Sequence, residues 1–135
     1  MKKSLLNQIL KECQAGLDTH PERKNYAHFT LLFQDGKLIS RGINKAHRPH
    51  KGLGYYNREL KKTGGVFHPK THAEQNAVER ARVYLNGFTA VNVRLGRDKS
   101  PRMSLPCPNC FNLLRLLRCR SVYYTTPLGF SKVLI

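Results

Sequence analysis

The sequence predicts an α/β domain in which helices pack on a mixed five-stranded sheet whose last two strands run antiparallel. Three observations lead there. Segments with apolar residues at helical spacing alternate with short runs rich in aromatic and β-branched residues, the order that layered α/β architectures produce. The length, 135 residues, suits one domain over 1–135 with a single core. The link between the last two strand-like runs, "SVYYTT" and "FSKVLI", is too short for a crossover helix, so those strands must pair antiparallel.

Each element has its own signal. Leu5, Leu6, Ile9, Leu10 and Cys13 recur at helical spacing, giving a helix over 4–15 that ends near Gly16. "YAHFTLLF" and "KLISRGI" are strands joined by a "QDG" hairpin turn. Residues 45–70 lack periodicity and carry Pro49, Gly52, Gly54, Gly64, Gly65 and Pro69, so they form a long loop, and such loops in compact domains are usually functional or mobile. From Thr71 a helix is expected again, with Ala77, Val78, Ala81 and Leu85 as its apolar stripe and Gly87 as its stop. "TAVNVRL" is a strand, and "PNCFNLLRLLRC" a helix with Pro108 suited to its first turn.

Composition narrows the function. Twenty-four Lys and Arg against eight Asp and Glu give a formal charge of +16, and no acid follows Asp98. Such a surface attracts polyanions, and a phosphate-bearing partner or substrate explains it better than solubility alone. No apolar run approaches the roughly 18 residues of a membrane span, so no membrane partner is expected. "MKKSLLNQIL" opens like a signal peptide but turns polar at Asn7 and Gln8 with no cleavage site after it, so the expected location is cytoplasmic. Of the cysteines Cys13, Cys107, Cys110 and Cys119, the C-x-x-C pair then reads as metal-binding or redox-active rather than as half of a disulfide framework.

Cys107 and Cys110, three residues apart at a helix start, present their sulfurs on one face, where the helix N-terminus favours thiolates. His72 opens the other helix. One imidazole and two thiolates make the three ligands of a catalytic zinc site that keeps a coordination position open. Cys119 lies more than two turns beyond Cys110, out of reach of the same ion; His68 or Cys13 remain as fourth ligands of a closed structural site. A redox pair would leave Glu74 unexplained. A carboxylate beside a zinc-activated water can take its proton and hand it to a leaving nitrogen, which is the chemistry of hydrolytic deamination.

His72-Ala73-Glu74 followed by Pro106-Cys107-Pro108-Asn109-Cys110 resembles the zinc-dependent cytidine and deoxycytidylate deaminase superfamily, with its H-x-E…P-C-x-x-C pattern. The similarity of element order covers about the whole chain. The resemblance implies a three-layer αβα sandwich of the cytidine deaminase type, Zn2+ as cofactor, His72, Cys107 and Cys110 as its ligands, and Glu74 as proton shuttle. It also implies substrate contacts from the Ala73 N–H to the pyrimidine carbonyl, from Asn44 of "GIN" to the sugar, and from the Leu105 carbonyl to the amino group. Met103-Ser104-Leu105 stands where APOBEC-type polynucleotide deaminases carry Ser-Trp-Ser, and the terminal hairpin is closer to the free-cytidine branch.

Free cytidine, a cytosine mononucleotide and cytosine in a single strand are the possible substrates. Lys45, Arg48, Lys51, Lys61 and Lys62, with Arg58, Lys70 and one acid, Glu59, make the 45–70 loop a candidate phosphate or nucleic-acid contact. Tyr55 and Tyr56 offer stacking faces within it. Arg115, Arg118 and Arg120 are expected to extend that surface near the pocket. Free cytidine needs no basic field and ranks last; single-stranded nucleic acid is slightly ahead of CMP or dCMP. Tyr124 rather than Tyr123 is expected to face the pocket, since strand side chains alternate. A basic zinc-containing nucleic-acid-binding module without turnover is the remaining alternative, and Glu74 argues against it. The oligomeric state is left open.

Overall fold

A computed structural model of the protein describes residues 1–24, 26–45 and 72–135. In chain order these form α1 (Lys3–Ala15), a 3-10 turn (Leu17–Thr19), β1 (Ala27–Gln34), β2 (Lys37–Ile43), α2 (Ala73–Arg80), β3 (Thr89–Leu95), β4 (Pro101–Arg102), α3 (Pro108–Leu116), β5 (Ser121–Thr126) and β6 (Gly129–Leu134). The sheet runs β2-β1-β3-β5-β6, with β4 attached to β3. β3 and β5 are parallel and the other pairs antiparallel, including the final β5–β6 hairpin that the short link required.

Helices cover both faces of the sheet. On one, α1 buries Leu6, Ile9 and Cys13 against Leu31, Val91, Val93 and Leu95. On the other, Ala77 of α2 and Leu114 of α3 pack with Leu32, Ala90, Val122, Phe88 and Cys119. Strand alternation sorts side chains between these layers: the odd residues of β3 serve the α1 core, and the even ones, Ala90, Asn92 and Arg94, point toward α2 and α3. The first hairpin closes through Asp35 and Gly36, both at positive φ (53° and 74°), as a tight two-residue turn demands.

The sequence-based picture needs three corrections. The sheet has six strands, not five. β4 is only two residues, one of them proline, pairing through Arg94↔Arg102 and Leu95↔Pro101, and so short a strand leaves no periodic trace. The helix expected to run on through Leu85 stops at Arg80, where Ala81 turns extended (ψ 126°). The side-chain amide of Gln34, at the end of β1, grips the following segment by donating to the Tyr84 carbonyl (3.0 Å) and accepting from the Asn86 N–H (2.9 Å). Leu85 still packs on the core, but from an extended chain, while Val83 and Tyr84 are exposed. Third, Arg118 and Arg120 lie away from the site, as shown below.

Gly42 fixes how α2 meets the sheet. A Cβ there would overlap the Ala73 carbonyl and the Ala77 backbone N and would stand 2.7 Å from Ala77 Cα, so β2 and α2 touch backbone to backbone. Ser40 Oγ donates to the Ala77 carbonyl (2.6 Å), and Asn76 Oδ1 accepts from the Ile43 N–H (3.0 Å). Among the described residues, no helix is long and apolar enough to cross a membrane.

Candidate metal centre and active site

Two helix starts meet at one end of the sheet. Cys107 caps α3, its sulfur accepting from the Cys110 N–H (3.5 Å), and Pro108 occupies the first turn, where a missing N–H costs nothing. His72 caps α2 and its N–H donates to Gln75 Oε1 (3.2 Å). This brings His72 Nδ1 to 3.3 Å from Cys110 Sγ and 3.6 Å from Cys107 Sγ, and the three ligand atoms all lie within 4.8 Å of one another. Tetrahedral zinc with ordinary Zn–S and Zn–N bonds separates sulfur from nitrogen by about 3.6 Å, so the spacing fits zinc.

The donor chemistry fits as well. The Cys107 thiol is pulled down to about 3, first by the hydrogen bond from the Cys110 thiol, then by His72 and the Cys110 N–H, against a burial that opposes it. Cys110 moves the other way, because it is the donor of that bond and is buried. This asymmetry favours one thiolate in the pair, and a cation held by the two sulfurs would take the place of the proton between them. Among the described residues, Cys13 and Cys119 stand outside this group. Cys13 is in the α1 core, and Cys119 is buried with its sulfur donating to the Ser121 carbonyl (3.2 Å). His68 lies outside the described residues.

Glu74, the second residue of α2, is 1% exposed, yet its Oε1 has no hydrogen-bond partner among the described residues. A buried carboxylate oxygen in that condition is costly unless something polar meets it. Facing it is His28 Nε2, 3.9 Å away and also without a hydrogen bond. Burial pushes His28 down toward the neutral ring; Glu74 pulls the other way, and His72, Arg94 and His20 add to the lowering. The sequence reading did not single out His28. Its one signal was parity: His28, Thr30 and Leu32 share the strand face toward α2.

The segment leading into Cys107 is bound into the sheet by a buried polar network. Thr30 Oγ1 donates to Asn92 Oδ1 (2.7 Å), and Asn92 Nδ2 donates to the Ser104 carbonyl (3.2 Å). Ser104 Oγ donates to the Asn92 carbonyl (2.8 Å) and accepts from the Thr125 N–H (2.7 Å). Thr125 Oγ1 in turn donates to the Arg102 carbonyl (2.7 Å).

Four further residues are expected from the sequence to contact substrate. Ala73 is fully buried in the first turn of α2, where its N–H has no partner within the helix. Leu105 lies 46% exposed between β4 and Cys107. Asn44 is tied to β1, with Oδ1 accepting from the His28 N–H (2.8 Å) and Nδ2 donating to the Tyr26 carbonyl (2.9 Å). Tyr123 packs toward α1, which leaves half-buried Tyr124 on the α2–α3 face.

Lys45 is exposed just after β2; Arg48, Lys51, Lys61 and Lys62 lie outside the described residues. Arg118 and Arg120 sit at the far end of β3: the Arg118 carbonyl accepts from the Gly87 N–H, and the Arg120 N–H donates to the Phe88 carbonyl. The length of β3, about 20 Å, separates them from the site end. They miss the pocket because α3 points its N-terminus at the site and carries its basic residues at or beyond its other end.

No protein-family model matches this sequence, and no curated protein does. Solved structures share its fold. The dCMP deaminase from the cyanophage S-TIM5, in apo form, is 18% identical with a TM-score of 0.57, covering 92% of this chain and 84% of its own. The same enzyme in complex with dCMP and dUMP gives 18%, 0.57, 92% and 82%. A cytidine deaminase from Mycobacterium leprae is more distant, 16% identical at a TM-score of 0.49, covering 91% and 88%. The mixed sheet flanked by helices is thus a fold shared with that dCMP deaminase, and at its end this chain carries a His-Cys-Cys group that could hold a metal ion.

Proposed function

We propose that the protein is a zinc-dependent hydrolytic deaminase that converts cytosine to uracil, releasing ammonia, in a phosphate-bearing substrate. One observation carries the reading: His72 Nδ1, Cys107 Sγ and Cys110 Sγ converge near a buried Glu74 oxygen that has no hydrogen-bond partner among the described residues. The ion, when bound, supplies an activated water as nucleophile for the ring carbon. The protein's own residues do the rest. Glu74 takes the water proton at its carboxylate and delivers it to the departing amine. The Ala73 N–H orients the pyrimidine carbonyl, and the Leu105 carbonyl receives the amino group. His28 closes the site beside Glu74 and keeps solvent from the carboxylate.

For the substrate, a charge of +16 supports cytosine in single-stranded nucleic acid. The second reading is a dCMP deaminase, supported by the solved dCMP and dUMP complex of a protein with this fold. A silent zinc-containing binder has no use for a buried acid whose Oε1 accepts no hydrogen bond among the described residues. The test is a side-by-side assay of the zinc-loaded protein on deoxycytidine, dCMP and an oligonucleotide with one cytosine, scored by uracil and ammonia. Uracil from the oligonucleotide above the other two is expected; preference for dCMP selects the second reading. No uracil from any of the three refutes the deaminase.

A further inference from the structure

A cavity of about 390 Å³ opens at the same end of the sheet as the metal centre, lined by Lys24, Tyr26, Gly96, Arg97, Asp98 and Arg102. Its size falls within the range of pockets that hold one small ligand. Three cations line it against one acid, and that acid is occupied. Asp98 Oδ1 accepts from the Ser100 N–H (3.1 Å) and Oγ (2.6 Å) and lies 3.6 Å from Arg102 Nη2. Arg97 spends only Nε, donating to the Lys24 carbonyl (2.6 Å); its terminal nitrogens and the Lys24 ammonium meet no other described residue. Arg102 is held flat on the chain at Gly96, where a Cβ would meet its Nε and Nη2 at 2.8 Å.

The cavity lies near the candidate active site. Tyr26 lies just ahead of β1, two residues before His28, about 7 Å along an extended chain. Arg94 pairs with His28 across β1–β3, and its guanidinium lies 4.0 Å over the Tyr26 ring, facing the same layer as Glu74. A line of positive charge thus runs from Arg94, beside His28, outward to Lys24, Arg97 and Arg102. A neutral base needs no such line, whereas a phosphate attached to a base does. The sequence reading placed the phosphate contacts in the 45–70 loop and passed over these residues.

We propose that this cavity receives a phosphate of the cytosine substrate, held by Lys24, Arg97 and Arg102 while the base reaches Glu74. The proposal rests on the deaminase reading of the metal centre. The same chemistry serves the terminal phosphate of a mononucleotide and an internal phosphodiester of a single strand, and the two sources separate by experiment.

The double variant Arg97→Ala/Arg102→Ala is compared with Lys37→Ala/Lys132→Ala, which removes equal charge at the far hairpin and the sheet edge. Binding of dCMP and of a single-cytosine oligonucleotide is measured from 50 to 200 mM salt, with thermal melts to establish that both variants fold. The pocket variant should bind at least one ligand about tenfold more weakly than the control variant does. Its log–log salt slope for the oligonucleotide should be shallower by about 1.4, two contacts at about 0.7 each. Loss for dCMP puts a terminal phosphate in the cavity; loss for the oligonucleotide alone puts a phosphodiester there. Equal affinities and slopes in the two variants overturn the site. Uracil formation by the unaltered protein is scored separately: its absence sinks the deaminase reading, while the salt slopes still decide whether phosphate binds here.

Discussion

Replacing Gly42 by alanine should damage both stability and turnover, although Gly42 touches neither metal ligand nor substrate. The added Cβ would stand 2.7 Å from Ala77 Cα and overlap the Ala73 carbonyl. Carbon atoms rest at about 3.5–4.0 Å, so α2 must retreat by roughly 1 Å. The obstacle is backbone on both sides, and no side chain can swing away. Overpacking of this kind costs about 1–3 kcal/mol. For a domain of this size that lowers Tm by about 4–11 °C. α2 carries His72 and Glu74 at its start, so the retreat also displaces the residues proposed as metal ligand and proton shuttle. Misplacement by about 1 Å can reduce a rate about 10²-fold. Thermal melts, metal content and uracil formation check this, with Ser40→Ala as comparison. That variant loses a hydrogen bond to the same helix without inserting an atom, and should cost about 1 kcal/mol with little change in rate. If Gly42→Ala melts within about 1 °C of the parent and turns over within about twofold, the contact between β2 and α2 does not position the site.

Other outcomes follow from the same geometry. Cys107→Ser should lose the metal, whereas Cys119→Ser should retain it, as measured by metal content after dialysis; equal loss in both would refute the ligand set. Glu74→Gln should keep zinc and fold while turnover falls by at least about 10²-fold, since the amide cannot accept the proton. Cys13 carries a thiol that burial pushes up to about 12. A raised folded value means its stabilising contribution is whole below the ordinary thiol range, near 9.0, and drains away as pH climbs toward 12. Denaturation melts across that window should therefore fall less steeply for Cys13→Ala than for the parent.

What the sequence could convey depended on how local each cause was. Cys107, Pro108 and Cys110 lie within four residues, so the helix start and the paired sulfurs were readable together. The terminal hairpin was readable because a short link admits a single geometry. The end of α2 was not, because what holds the next segment extended is Gln34, fifty residues earlier in the chain. His28 looked like any histidine in a strand until β1 set it against Glu74. Arg94, Arg97 and Arg102 were lost in a uniformly basic sequence, where composition counts charges and only the fold says which of them converge.

The network that runs from Thr30 through Asn92 to Ser104 and Thr125 bears on how the protein would live with a scarce metal. Strand side chains hold the approach to Cys107 through hydrogen bonds that involve neither sulfur, so this part of the site's support does not depend on an ion. A metal ion taken up there would then meet a socket rather than a clasp that forms around it. Loading would need no refolding, chelation would leave an intact and reloadable chain, and one ion could be exchanged for another at the speed of ligand substitution. Molecules made while such a metal was short would wait, folded, for supply to return.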